Sequence, residues 1–356
     1  MDSGLVSHFS RFGFHFLHMA LLEFGENGIY CPAGDFYIDP WKPVKRALIT
    51  HAHADHARWG HNAYLAHEGS ASVLRLRIGQ DMQLQTVPYG KPLTVGGVEV
   101  CFFPAGHIPG SAQIRVTRKG ESWVASGDYK LEKDGISTPF EPVKCHAFIT
   151  ESTFGLPIYK WQPQQQIFQE VNDWWRKNAA EGRTSVLFGY SLGKAQRLLN
   201  GLDTSIGQIF VHGAIWNILQ VFGNTVPKPP VTRITRELDK KVFAGGMVVA
   251  PPSALGSSWM RKFQPYSTGM ASGWMTVRGM KRRRAMDQGF IMSDHADWPG
   301  LLQAIKETGA EKIFVTHGYT DIFSRYLREQ GYDARAVETL YEGDEVEENL
   351  QEDETR

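Results

Sequence analysis

The chain has 356 residues, of which 42% are hydrophobic and 21% charged, with a formal net charge of zero. That length and composition suit a soluble protein of one large or two medium domains with ample material for a core. Three widely spaced cysteines, Cys31, Cys101 and Cys145, with no C-x-x-C pair, argue against a disulfide framework and for a reduced, cytoplasmic protein.

The charge is unevenly spread. Residues 341–356 carry eight acids against one arginine, a net −7 that the rest of the chain offsets with +7. A mildly basic body is compatible with a polyanionic ligand without demanding one. At the other end, residues 4–24 are fairly apolar, but His8, Arg11, His15 and His18 interrupt them and no small-residue cleavage site follows. Neither a signal peptide nor a membrane span is expected. A cleaner pattern begins at Met19, so residues 1–18 read as an extension outside the fold.

From Met19 to Asp39, short apolar stretches alternate with turn signals (Gly25 to Gly28, Pro32 to Asp35), which predicts a β-meander. Asp39 closes it, either as a turn cap or as a carboxylate that orients a ligand histidine. Ala47 to Thr50 then reads as a short buried strand running into His51-Ala-His53-Ala-Asp55-His56, four metal-type ligands within six residues. Residues two apart on extended backbone face the same way, so His51 and His53 can grip one cation. Asp55 and His56, past the turn, are re-aimed toward a second. Imidazole and carboxylate donors suit zinc, manganese or iron, and the lack of thiolates argues against a closed structural zinc site.

A helix near residues 70–76 and strands near 83–87 and 98–103 follow, the last ending at His107 between Gly106 and Gly110. The arrangement recurs: residues 123–127 run into Asp128, and residues 147–150 into Glu151. A lone histidine at a strand end is more often structural. Four strands that each end in a ligand-type residue point instead to a metal site at the rim of a β-sandwich.

Residues 156–285 alternate helix and strand signals (helices near 163–180 and 194–202, strands near 184–189, 208–211 and 247–250), the signature of βα units with parallel strands. Within them Gly189-Tyr-Ser191-Leu-Gly193 matches the G-x-S-x-G nucleophile elbow in strand–turn–helix context, a competing serine-hydrolase reading. Glycines at a helix start also suit anion binding. Arg278, Lys281, Arg282, Arg283 and Arg284 form a basic run that is either a solvated face or a contact to a phosphate backbone. It precedes a strand ending in Ser293-Asp294-His295-Ala296-Asp297. A helix over 299–307, a strand 312–315 closed by Thr316-His317-Gly318, a helix over 321–329 and a strand 334–339 complete the body. The acidic tail has too few apolar residues to fold.

Taken together, His51-x-His53-x-Asp55-His56, His107 and Asp128, followed in order by Glu151, His295 and His317, resemble the metallo-β-lactamase fold in its β-CASP nuclease branch. The likeness spans about residues 19–340. In compact length it looks most like the bacterial DNA ligase-associated exonucleases. The resemblance implies an α/β chain: an αβ/βα metallo-β-lactamase sandwich in two parts, 19–155 and 286–340, split by a β-CASP-like insert over 156–285, with 1–18 and 341–356 outside. It implies two divalent cations, zinc or manganese. His51, His53 and His107 would hold one, and Asp55, His56 and His317 the other, with Asp128 bridging and Asp39 behind the ligands. Asp55, His295 and Glu151 form the implied catalytic set, His295 as a general acid oriented by Glu151. The implied activity is metal-dependent phosphodiester hydrolysis, with DNA exonuclease action in repair ahead of RNA processing and a small-molecule metallohydrolase third. The implied partners are nucleic acid and a DNA ligase and helicase of the same pathway, with no membrane. Asp294 and Asp297 receive no role.

Overall fold

A computed structural model describes residues 20–277 and 286–340. The expected extension 1–18, the basic run 278–284 and the acidic tail 341–356 lie outside the described residues.

Three sheets organise the described residues. The first runs in sequence order through strands Glu23–Gly25, Gly28–Cys31, Phe36–Ile38, Arg46–Ile49, Ala63–His67 and Leu84–Val87. Its first three strands pair antiparallel, as the turn signals predict, and from Phe36–Ile38 onward the pairing is parallel. The second sheet has the order Asp333–Ala336, Lys312–Gly318, Ala147–Ser152, Glu121–Ala125, Ala112–Arg118, Val98–Pro104 and Leu93–Val95.

Strand alternation builds the layers, because successive side chains leave a strand on opposite faces. Leu48, Ile38 and Ile29 of the first sheet meet Val100, Phe102, Ile114 and Ile149 of the second in one core. Their neighbours Ala47 and Ile49 turn outward onto Val73 and Leu74 of helix Ala71–Ile78. Phe148, Ile313 and Val315 turn the other way, onto Leu301 and Ile305 of helix Trp298–Thr308 and Phe323 and Leu327 of helix Thr320–Glu329. Helix, sheet, sheet, helix is the αβ/βα sandwich the sequence predicts.

The third sheet is wholly parallel, in the order Thr232–Arg233, Ile209–Val211, Met247–Ala250, Thr184–Phe188, Tyr266–Ala271 and Gln288–Phe290. Its central strands are buried along their whole length, which is why Met247–Ala250 reads as a continuous apolar run rather than an alternating one. Helices Gln164–Ala180, Lys194–Gly201 and Gly213–Phe222 pack on it through Trp175, Leu198, Ile215 and Leu219. Gln288–Phe290 pairs with Gly269–Ala271, so this sheet runs past residue 285, where the sequence places a boundary.

Both crossings between the second and third sheets matter for function. The chain leaves through Ala147–Ser152, carrying Glu151, and returns through residues 291–297, carrying His295. Asp297 stops that return segment. Its Oδ1 accepts from Gly300 N at 2.9 Å as the N-cap of the following helix, which has a proline at its start, and its Oδ2 accepts from Trp161 N at 2.9 Å.

Candidate metal centre

The strand ends converge on one buried point. Thr50 and His51 leave Arg46–Ile49, and the backbone then turns so that His56 N and Ala57 N both donate to His53 O, at 3.2 and 2.8 Å. His51, His53, His107 and Asp128 present ligand atoms within 4.8 Å of one another, as do Asp55, His56 and His317. All seven are buried or nearly so. His107 comes from the turn after Val98–Pro104, Asp128 from the turn after Glu121–Ala125, and His317 from the end of Lys312–Gly318.

What the outer ring nitrogens touch decides what the inner ones can do. His107 Nδ1 lies 2.8 Å from the backbone carbonyl of Asp294, and His53 Nε2 lies 3.3 Å from that of Leu192. A carbonyl only accepts, so each of these nitrogens carries the proton and its partner turns a lone pair inward. His56 Nδ1 donates to Asp39 Oδ2 at 2.8 Å. His51 Nδ1 lies 3.0 Å from Thr50 Oγ1, whose own proton goes to Asp39 Oδ2, so the hydroxyl accepts from His51. Four imidazoles are thereby fixed with their N–H groups outward.

The inner lone pairs then face one another and a carboxylate. His107 Nε2 and His53 Nδ1 are 3.1 Å apart. His51 Nε2 and His56 Nε2 each lie 3.5 Å from Asp128 Oδ2, and His317 Nδ1 lies 3.8 Å from Asp128 Oδ1. Among the described residues, His51 Nε2 and Asp128 Oδ1 are buried without a hydrogen-bond partner. Buried acceptors crowded together without donors are costly unless a proton or a cation sits among them.

A proton is disfavoured at two of these rings. Burial, reinforced by His295 and His53, pushes His107 down to about 3, and burial, reinforced by His56, holds His51 well below the ordinary histidine range. Burial also pulls on His56, but the carboxylates of Asp128 and Asp55 outweigh it and hold that ring above the ordinary range. At Asp128 burial opposes ionisation, and the surrounding imidazoles, His56 foremost, overcome it and keep the carboxyl ionised. Ring nitrogens turned inward around an ionised carboxylate, two of them on rings that burial keeps unprotonated, are the donor set a divalent cation requires, so these residues fit the metals that the sequence implies.

Two of the residues pay for their placement with backbone strain. Asp39 has φ 43° and His317 φ 58°, the left-handed region that non-glycine residues avoid at a cost of roughly 1–3 kcal/mol. Asp39 is held there because its carboxylate serves Thr50 N, Thr50 Oγ1 and His56 Nδ1 at once. These are the contacts an orienting carboxylate would make.

Beside the cluster stands His295, its ring 4.7 Å from that of His107. His295 Nδ1 lies 2.8 Å from Glu151 Oε2, and Glu151 Oε1 accepts from Tyr129 N at 2.8 Å. Trp161 Nε1 donates to His295 O at 2.9 Å, and Phe154 packs edge-on to the imidazole.

The G-x-S-x-G segment contributes differently from a nucleophile elbow. Among the described residues no histidine is hydrogen-bonded to the Ser191 hydroxyl, while the next residue, Leu192, supplies the carbonyl that holds His53. Sequence reasoning passed over two residues that frame the site. Lys194 Nζ lies 3.2 Å from Asp294 Oδ1, and Arg197, which is 1% exposed, donates to Asp134 Oδ2 and Ser293 O, both at 2.6 Å. All three groups these cations grip lie far away in sequence. Both are buried on helix Lys194–Gly201, whose mixed polar composition carries no signal for that burial.

No family model matches the chain. It is 31% identical over 315 residues to a probable DNA ligase of Opitutus terrae, a match covering 87% of this chain and 30% of that protein. It is 28% identical over 198 residues to a ribonuclease of Thermus thermophilus, covering 48% of this chain and 45% of the ribonuclease. With cleavage and polyadenylation specificity factor 73 of Drosophila melanogaster it shares 27% identity over 177 residues, 46% of this chain and 25% of that factor. The matches thus span less than half the length of each of these curated relatives. A crystal structure of a protein of unknown function from Enterococcus faecalis has the same fold at 13% identity, with a TM-score of 0.57 over 83% of this chain and 79% of that one.

Proposed function

Because the chain belongs to the β-CASP branch of the metallo-β-lactamase fold, we propose that it is a metal-dependent nuclease that hydrolyses phosphodiester bonds, a DNA exonuclease in repair. The observation that carries this reading is the four imidazoles whose outer N–H groups are all engaged and whose inner nitrogens gather at Asp128.

His51, His53 and His107 would hold one divalent cation and Asp55, His56 and His317 the second, with Asp128 shared. When bound, such a pair supplies an activated water at neutral pH and neutralises charge on the phosphoryl oxygens. Everything else falls to the chain. Asp39 and the carbonyls of Leu192 and Asp294 keep the ligand imidazoles in the tautomer that offers a lone pair. Glu151, an acceptor fixed by Tyr129 N–H, makes His295 Nδ1 a donor and leaves Nε2 as the atom that delivers a proton to the leaving sugar oxygen. Burial of His295 and Glu151 keeps water from competing for that hydrogen bond.

DNA is favoured by the extent of the match to the protein described as a DNA ligase, which covers 87% of this chain, against about half for the ribonuclease. The same match supports a ligase as a working partner, with a helicase of the same pathway beside it. RNA is the second reading, favoured by His317 in the last ligand position and by the relatives described as a ribonuclease and a polyadenylation factor. End-labelled DNA and RNA, each incubated with manganese, zinc or chelator, test this. Progressive shortening of DNA with either cation and none with chelator is expected. Faster cleavage of RNA would replace the DNA assignment.

A further inference from the structure

The first cation's histidines lean on the third-sheet layer. His53 is held by the carbonyl of Leu192, in the loop leading into helix Lys194–Gly201, and His107 by that of Asp294, on the segment returning from the third sheet. The helix follows directly on the first support and grips the segment that carries the second. Lys194 Nζ pairs with Asp294 Oδ1 at 3.2 Å, and Arg197 donates through Nη1 to Ser293 O at 2.6 Å. The other arm of Arg197 crosses to the sandwich, donating to Asp134 Oδ2 at 2.6 Å and to His107 O at 3.4 Å. Asp134 is itself pinned by Ile136 N, Ser137 N and Ser137 Oγ, at 2.8 to 2.9 Å, so the arm ends on a rigid loop.

We infer that Arg197 is a positioning residue that locks the third-sheet layer onto the metal centre, so that the His51/His53/His107 cation site is complete only while that clamp is closed. The inference rests on the nuclease reading above for the presence of the cations, but not for their task. It depends on the shape of guanidinium. One planar group reaches a carboxylate and two carbonyls from different layers at once, and a lysine ammonium at the same place cannot. The second site, Asp55, His56 and His317, takes its support from Asp39 within the sandwich and stands outside the clamp. Coupling of this kind is reciprocal. If the clamp strengthens the first site, a cation there must hold the clamp shut.

Two variants test this. Arg197→Lys keeps the charge beside Asp134 and loses the fork, and the pair Arg197→Met with Asp134→Asn removes the arm without leaving a buried charge alone. Each is checked for native circular dichroism, and cation affinity is then read by two-step competition with a chromophoric chelator. One site should weaken about 10–100-fold, the usual effect of losing a ligand's outer partner, with the other unchanged. A folded variant that binds both cations as tightly as wild type would overturn the inference, as would equal weakening of both sites. The native chain gives an independent readout that no folding defect can obscure. Hydrogen exchange of the amides over 192–197 should slow on zinc loading relative to the chelated protein, and unchanged exchange would overturn the coupling. A wild-type chain that takes up no cation would instead overturn the nuclease reading on which the inference stands.

Discussion

Replacing His295 with alanine separates proton delivery from cation binding. The imidazole is 2% exposed and its Nδ1 is tied to Glu151 at 2.8 Å, so only Nε2 can hand a proton to a leaving group. Removing it obliges the sugar oxygen to depart unprotonated, which costs roughly 10²–10⁴-fold in rate for a positioned general acid, or about 3–5 kcal/mol of barrier at 1.36 kcal/mol per tenfold. A nitrophenyl phosphodiester needs no proton on its leaving group. The loss should therefore shrink to less than about tenfold on that substrate, while cation content stays at the wild-type value. The assay is kcat/KM on both substrates, with metal analysis of the same preparations. Equal losses on the two substrates with cation content intact would refute the acid role and make His295 a residue that positions substrate. Loss of cation would show that the ligand set is misassigned.

Other substitutions probe the remaining parts. Ser191→Ala should keep most nuclease activity, since Ser191 has no histidine partner among the described residues; labelling of Ser191 by a serine-directed phosphonate together with loss of hydrolysis would contradict this. Asp39→Asn keeps a side chain that tolerates φ 43° but loses a carboxylate oxygen shared by Thr50 and His56. Cation affinity, read by chelator competition, should drop about 10–100-fold with the melting temperature little changed. His317→Ala should lower cation content, with added manganese restoring part of the activity; unchanged metal content would remove His317 from the ligands. Deleting 341–356 should leave turnover intact and tighten nucleic-acid binding at low salt, measured by anisotropy, whereas a truncated chain that cannot cleave would count against that.

The candidate ligands were legible because His51, His107, Asp128 and His317 each follow or close an apolar strand, and the structure brings those strand ends together. The groups behind them were not legible. Two of the four outer nitrogens are held by carbonyls, and a carbonyl is the same at every residue, so nothing in Leu192 or Asp294 as letters announces the contact with His53 139 residues away or His107 187 residues away. Arg197 shows the same limit, because its partners are fixed by how helix Lys194–Gly201 docks rather than by spacing along the chain. Asp297 is a different case. An acid directly before Trp298-Pro299 is a readable helix start, and its capping of the helix Trp298–Thr308 could have been predicted. The strand expected ahead of Ser293 begins at Gln288, two residues before its first apolar side chain, because Gln288 and Gly289 carry no periodicity.

The most direct test of the two-cation account is the metal content of Asp128→Ala beside wild type, with nuclease activity measured on the same samples. Asp128 lies within 3.8 Å of inner nitrogens of His51, His56, His107 and His317, drawn from both proposed sites. Wild type should carry two divalent cations per chain and lose activity to chelator, and the variant should carry none or nearly none and be inactive. An Asp128→Ala protein with full nuclease activity would contradict the account.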